Sequence, residues 1–239
     1  MNIKYIFVLL FVYLEVRANS DSDQLFYAAE HGDIDEVKTL INNGAHADAE
    51  NQSKETPLHM AAAGGHMDVV KYLIERGANV NAQTSNGKYT PLHHAATEGK
   101  TEIVNYLIAN GADVNAETKE KETPLLKAIK SFKTETIKAL IKKGANVNVK
   151  TKSLQYTPLH YATLSGDVEI IKLLIENGAN PFALNSTHET PRDLSNRFVY
   201  EEAADILKEA ESNYVPTETT TTTTTPPPPT TSTPIPAMP

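Results

Sequence analysis

Histidines are the residues here most able to do chemistry. His59, His93 and His160 each stand three residues after a threonine and two after a proline. Imidazole is the side chain suited to proton transfer or metal binding near neutral pH. A fourth, His94, adjoins His93, but neighbours on a helix point about 100° apart, and the chain has no cysteine to complete a metal site. A catalytic histidine is needed once, whereas these three recur in one setting, which marks them as structural. The carboxylates are scattered without a paired spacing, Gly64-Gly65 lacks a phosphate-loop context, and no nucleophile elbow is present. The sequence therefore predicts no enzyme, no metal and no cofactor.

The elements that must hold these histidines are short. In the stretch Lys88 to Thr118, Thr90 supplies an N-cap hydroxyl and Pro91 takes the first helical position, where a missing N–H costs nothing. His94, Ala95 and Ala96 continue a helix that Gly99 can end in the left-handed conformation. Ile103, Val104, Leu107 and Ile108 make the apolar stripe of a second helix, which Gly111 stops. An extended finger, Ala112 to Ala116, leads out. Each helix is shorter than the ~12–15 residues at which an isolated helix becomes marginal in water. The unit needs neighbours of its own kind.

The chain supplies them. The threonine recurs at Thr56, Thr90, Thr123 and Thr157 and in broken form at Thr190, in steps of 34, 33, 34 and 33 by subtraction. The Gly-Ala that closes the second helix recurs at Gly44, Gly77, Gly111, Gly144 and Gly178, in steps of 33, 34, 33 and 34. Two features keeping one period define a solenoid. With Thr-Pro-Leu-His at 56–59, 90–93 and 157–160, the chain from about Asp21 to Ser212 resembles the ankyrin-repeat family. The expected fold class is all-α: an ankyrin-repeat solenoid of stacked helix-turn-helix units with finger loops, plus a disordered C-terminal tail.

About six repeats are expected, near 21–52, 54–86, 88–120, 121–153, 155–187 and 188–212. In the first, Asp23 stands as N-cap to a helix from Gln24 to Glu30. The fourth departs from pattern, with Leu126 for the histidine and Phe132 for the glycine that ends the first helix. Phe132 must adopt a costly left-handed conformation or force a different turn. The sixth has a second helix near Phe198 to Ala210 without the closing Gly-Ala, as a C-terminal cap would.

Outside the array, Lys4 precedes the uncharged run Tyr5 to Leu14 and the small residue Ala18. That order predicts a signal peptide over 1–18, with cleavage after Ala18 or after Ser20. The last segment, 213–239, holds the threonine run Thr219 to Thr225 and prolines Pro226 to Pro229, and reads as a disordered, mucin-like tail. The localisation expected is secreted and extracellular, with no stable membrane anchor. Net charge is −8. Removing Lys4, Glu15 and Arg17 with the signal peptide leaves −9, which argues against nucleic acid.

The resemblance implies a structural role for His59, His93 and His160, tying adjacent repeats, and a concave face of fingers and first helices that binds another protein. By repeat position that face carries Gln52, Ser53, Glu55, Asn86, Tyr89, Thr97, Glu98, Lys119, Glu122, Lys130, Leu154, Tyr156, Leu164 and Ser165. The longer steps put an extra residue just before the signature in repeats three and five, where both fingers end in tyrosine. Tyr89, Leu154 and Tyr156 are expected as exposed anchors, or the tyrosines fold back onto the next finger. Lys127, Lys130 and Lys133, with Lys138, Lys142 and Lys143, are expected to form one basic patch that docks an acidic segment, completed by Phe132. Sequons at Asn51 and Asn185 are candidate glycosylation sites. The expected function is that of a monomeric, secreted binding protein, an effector acting on another cell or organism. The alternatives are an intracellular scaffold or inhibitor of signalling proteins, and a structural spacer with a mucin-like stalk.

Overall fold

The computed structural model describes residues 22–215, so the expected signal peptide and the tail beyond Val215 lie outside the described residues. The described residues are helical and contain no strand. In chain order the helices are α1 (22–31), α2 (Ile34–Asn42), α3 (Pro57–Gly64), α4 (Met67–Glu75), α5 (Pro91–Glu98), α6 (Thr101–Ala109), α7 (Pro124–Lys130), α8 (Thr134–Lys142), α9 (Pro158–Ser165), α10 (Val168–Glu176), α11 (Pro191–Arg197) and α12 (Glu201–Asn213). They fall into successive pairs, each pair followed by a finger that reaches the next. First helices stack on first helices, α3 on α5 on α7 on α9 on α11, and second helices run alongside them as a second row.

Local sequence explains each start and stop. Thr56, Thr90, Thr123, Thr157 and Thr190 are extended N-caps, each followed by proline at the first helical position. Gly65, Gly99 and Gly166 end α3, α5 and α9 in the left-handed region. Two expectations change. Asp23 lies inside α1, which is already helical at residue 22, so it is not the N-cap of that helix. The last second helix starts at Glu201, not near Phe198, and continues to Asn213 because no Gly-Ala interrupts it.

The core runs the length of the stack between the two rows. Leu58, Leu92, Leu125 and Leu159 repeat on the first helices, and Leu73, Leu107, Leu140 and Leu174 on the second, all without exposure. Burying each such side chain contributes about 1.5–3 kcal/mol. Where the stack ends, the leucine position becomes Arg192, whose Nη1 donates to Glu211 Oε2 at 2.9 Å. An ion pair thus replaces apolar surface that no further unit would cover.

Along the fingers an asparagine ladder joins neighbours. Asn81 donates from Nδ2 to the Gly111 carbonyl and accepts from the Asp113 N–H, both at 2.9 Å. Asn148 repeats this with Gly178 and Asn180. At the next position stands Phe182, which packs edge-on against Tyr214 at 5.9 Å and closes the ladder.

Candidate partner-binding face

The three histidines are fully buried straps. In the first, the Thr56 N–H donates to His59 Nδ1 at 3.0 Å, and the Thr56 hydroxyl lies 2.9 Å from the same nitrogen. His59 Nε2 is 3.1 Å from the Tyr89 carbonyl of the next unit. A donor on one side and an acceptor on the other fix the tautomer, with the proton on Nε2. His93 does the same between Thr90 and Glu122, and His160 between Thr157 and Glu189. Burial lowers all three from the usual imidazole value to about 4, since a protonated ring would lose its N–H bond from threonine. With both nitrogens committed, none can act as a base.

Leu126 breaks the series. It fills the histidine position in α7 and is buried, so no side chain donates to the Tyr156 carbonyl from below. Thr123 still caps its helix by accepting from the Leu126 N–H. In α11 the position is Asp193, whose carboxylate accepts from the Thr190 N–H at 2.8 Å. It caps its own helix and reaches no further unit.

The finger turns show where the longer steps put their extra residue. The turn is closed by a bond from residue 51 to 55, 84 to 89, 118 to 122, 151 to 156 and 185 to 189. The extra residue therefore lies within the turns at 84–89 and 151–156, not directly before the signature. One position before each threonine, the side chains alternate: Glu55, Tyr89, Glu122, Tyr156, Glu189. This alternation was legible in the sequence and is what organises the face.

Its centre is a row of charged and aromatic groups. Glu122 is nearly buried and pairs with Lys127 at 3.3 Å and Lys130 at 2.5 Å. Burial pushes its carboxyl up, but the hydrogen bond from Lys130 and the charges of both lysines outweigh this and hold it below the usual range. Burial likewise pulls the Lys130 ammonium down, and Glu122 more than restores it. Lys127 Nζ lies over the Tyr89 ring at 5.0 Å and Lys130 Nζ over Tyr161 at 5.3 Å. Tyr156 stacks on His160 at 5.4 Å and meets Tyr161 edge-on.

Several sequence expectations are corrected by this packing. Tyr89 and Tyr156 are half-buried, folded onto the histidines of their own units and not onto the next finger. Leu154 remains 47% exposed. Glu122 is a buried ion-pair partner and not an open surface group. The basic patch is engaged in part: Lys127 and Lys130 pair with Glu122, Lys138 bridges Glu135 and Glu169, and Lys133 lies along Gly99, while Lys142 and Lys143 stay exposed. Phe132 stands at the far end of α7 from the finger, 67% exposed. Gln52, Asn86, Glu98, Lys119, Lys130 and Ser165 are exposed, and Ser53, Glu55, Thr97 and Leu164 are partly so. His94 Nε2, against His59 and Tyr89, is buried without a partner.

The sequons are structural turns. Asn185 is 5% exposed, accepts from the Thr187 and Glu189 N–H groups, and donates from Nδ2 to Glu189 Oε2 at 3.2 Å. Asn51 repeats this with Ser53 and Glu55. Thr84, Thr118 and Thr151 do the same work in the other fingers with a hydroxyl. The turns are closed through the amide oxygen, while each amide nitrogen, the atom a glycan would take, makes a single bond to Glu55 or Glu189.

Paired helices of fixed period, strapped through buried histidines and linked by fingers, define a repeat solenoid. This chain belongs to the ankyrin-repeat family: the family model described as Ankyrin repeats (3 copies) matches residues 25–118 and again 116–185. No curated protein matches the chain significantly. No helix among the described residues is long and apolar enough to cross a membrane.

Proposed function

We propose that the chain is a secreted binding module that holds another protein on the face made by its fingers and first helices. One observation carries the reading: Tyr89, Lys127, Glu122, Lys130, Tyr161 and Tyr156 form a continuous row across three units, partly open to solvent. The histidines beneath strap the units together, and the row above them presents its tyrosines and lysines on the finger face. Half-buried tyrosines offer area at little entropic cost, and paired lysines arrive already ordered. Family membership supports an interaction module over an enzyme.

The six helix pairs are read as six repeats, the outer two as caps, in one domain over 21–212. Export is supported by the order of Lys4, apolar run and Ala18, and an effector role on another cell or organism follows from an exported array. The experiment is capture from the native source with a tagged full chain, followed by the Tyr156→Ala, Lys130→Glu double variant. A captured protein that the wild type holds and the folded double variant releases supports the reading, whereas equal retention defeats it. Mass spectrometry of the same material is expected to find a mature start at Asn19 or Asp21; a chain still beginning at Met1 defeats secretion.

A further inference from the structure

The turns between first and second helices form a row along one edge, away from the fingers. In it stand Gly65, Gly99, Phe132, Gly166 and Val199, each nine residues after its threonine. All take positive φ, including Phe132 at 56° and Val199 at 60°. For an L-residue this is a strained backbone conformation, and a β-branched side chain suffers most.

Neither residue recovers the cost by burial, because Phe132 is 67% and Val199 74% exposed. Glycine at the same place in other units shows that the fold requires neither. At those glycines the next unit lays a polar or charged chain across the turn, Lys100 over Gly65 and Lys133 over Gly99. Over Gly166 it lays the ring of Tyr200, at 3.4 Å from where a Cβ would stand. Tyr200 stacks on Phe198, which is 47% exposed. Phe198, Val199 and Tyr200 thus leave an apolar patch on the edge of the last unit, with Phe132 exposed two units away along the same row.

Its end is acidic. Val199, Tyr200, Glu201 and Asp205 line one shallow pocket. Among the described residues neither Glu201 nor Asp205 forms an ion pair, while nearby Arg197 is held by Glu189 and Lys172 lies 4.0 Å from Glu202. We infer that this edge is a second docking surface, separate from the finger face, for a protein segment that carries lysine or arginine beside apolar side chains. The apolar groups lie along Phe198, Tyr200 and Val199, and the cation enters the pocket between Glu201 and Asp205 with the tyrosine ring beside it. The strain at Val199 is retained because glycine would offer such a segment nothing to hold.

The test uses the full chain and a fluorescent peptide of alternating lysine and leucine, with its aspartate–leucine counterpart as control, read by anisotropy. The wild type is expected to bind the lysine peptide and not the aspartate one. Val199→Gly is expected to weaken binding roughly tenfold, yet to raise the denaturant midpoint by relieving the backbone. Asp205→Lys is expected to weaken binding, while Asp35→Lys, at the opposite end of the stack, leaves it intact. Unchanged binding in Val199→Gly, a lowered midpoint, or equal loss in Asp35→Lys overturns the assignment. Sedimentation showing self-association that Val199→Gly abolishes also overturns it, in favour of a second copy of this chain.

Discussion

At the residue scale the histidines decide how the array responds to pH. Each folded imidazole titrates at about 4, below its unfolded value near 6.5, so between those limits the unfolded chain binds more protons. Stability is full above pH 6.5 and falls as pH drops towards 4, by roughly 3 kcal/mol for each strap. Urea midpoints across that window are expected to fall on acidification, with a shallower slope in His93→Leu. A flat midpoint would mean that the rings are not held neutral. The sequon asparagines are a second case in which one residue type carries two meanings. Asn-x-Ser and Asn-x-Thr read as acceptors in the sequence, but the amides close finger turns that threonine closes elsewhere. Asn185→Ala is expected to cost roughly 1–3 kcal/mol through its orphaned N–H partners. A thermal melt indistinguishable from wild type would deny the turn that role.

At the element scale the apolar stripe of the second helix is the main source of stability. Leu107 has no exposure and lies in α6, which packs between α4 and α8. Leu107→Ala is expected to cost about 2–5 kcal/mol, checked by denaturant titration. The helices and their order were legible because threonine, proline, the closing glycine and the apolar stripe all kept one period. The row of Glu122, Lys127, Lys130 and tyrosine was not, because two lysines of the run read as basic share one carboxylate from the preceding finger, and nothing in local spacing pairs them. Phe132 was legible as a strained position from the glycines aligned with it. Val199 holds the same aligned position, but in a last unit whose signature is broken after Thr190-Pro191.

At the scale of the whole molecule, a solenoid is as strong as its neighbour contacts. The joint between the fourth and fifth units lacks its histidine strap at Leu126. Among α2 to α12, the contact of α7 with α9 is the sparsest between first helices, and that of α8 with α10 the thinnest between second helices. Native-state hydrogen exchange is expected to show α9 to α12 opening together at lower free energy than α3 to α6; uniform protection across that joint would contradict it. On the proposed function, the assembled array meets its partner on the finger face. A photo-crosslinking residue placed at Thr97 or Leu164 on the finger face, and separately at Glu75 on the outer helix row, tests it in extract from the native source. The same protein adduct is expected from Thr97 and Leu164, and none from Glu75. An adduct from Glu75 alone would contradict it.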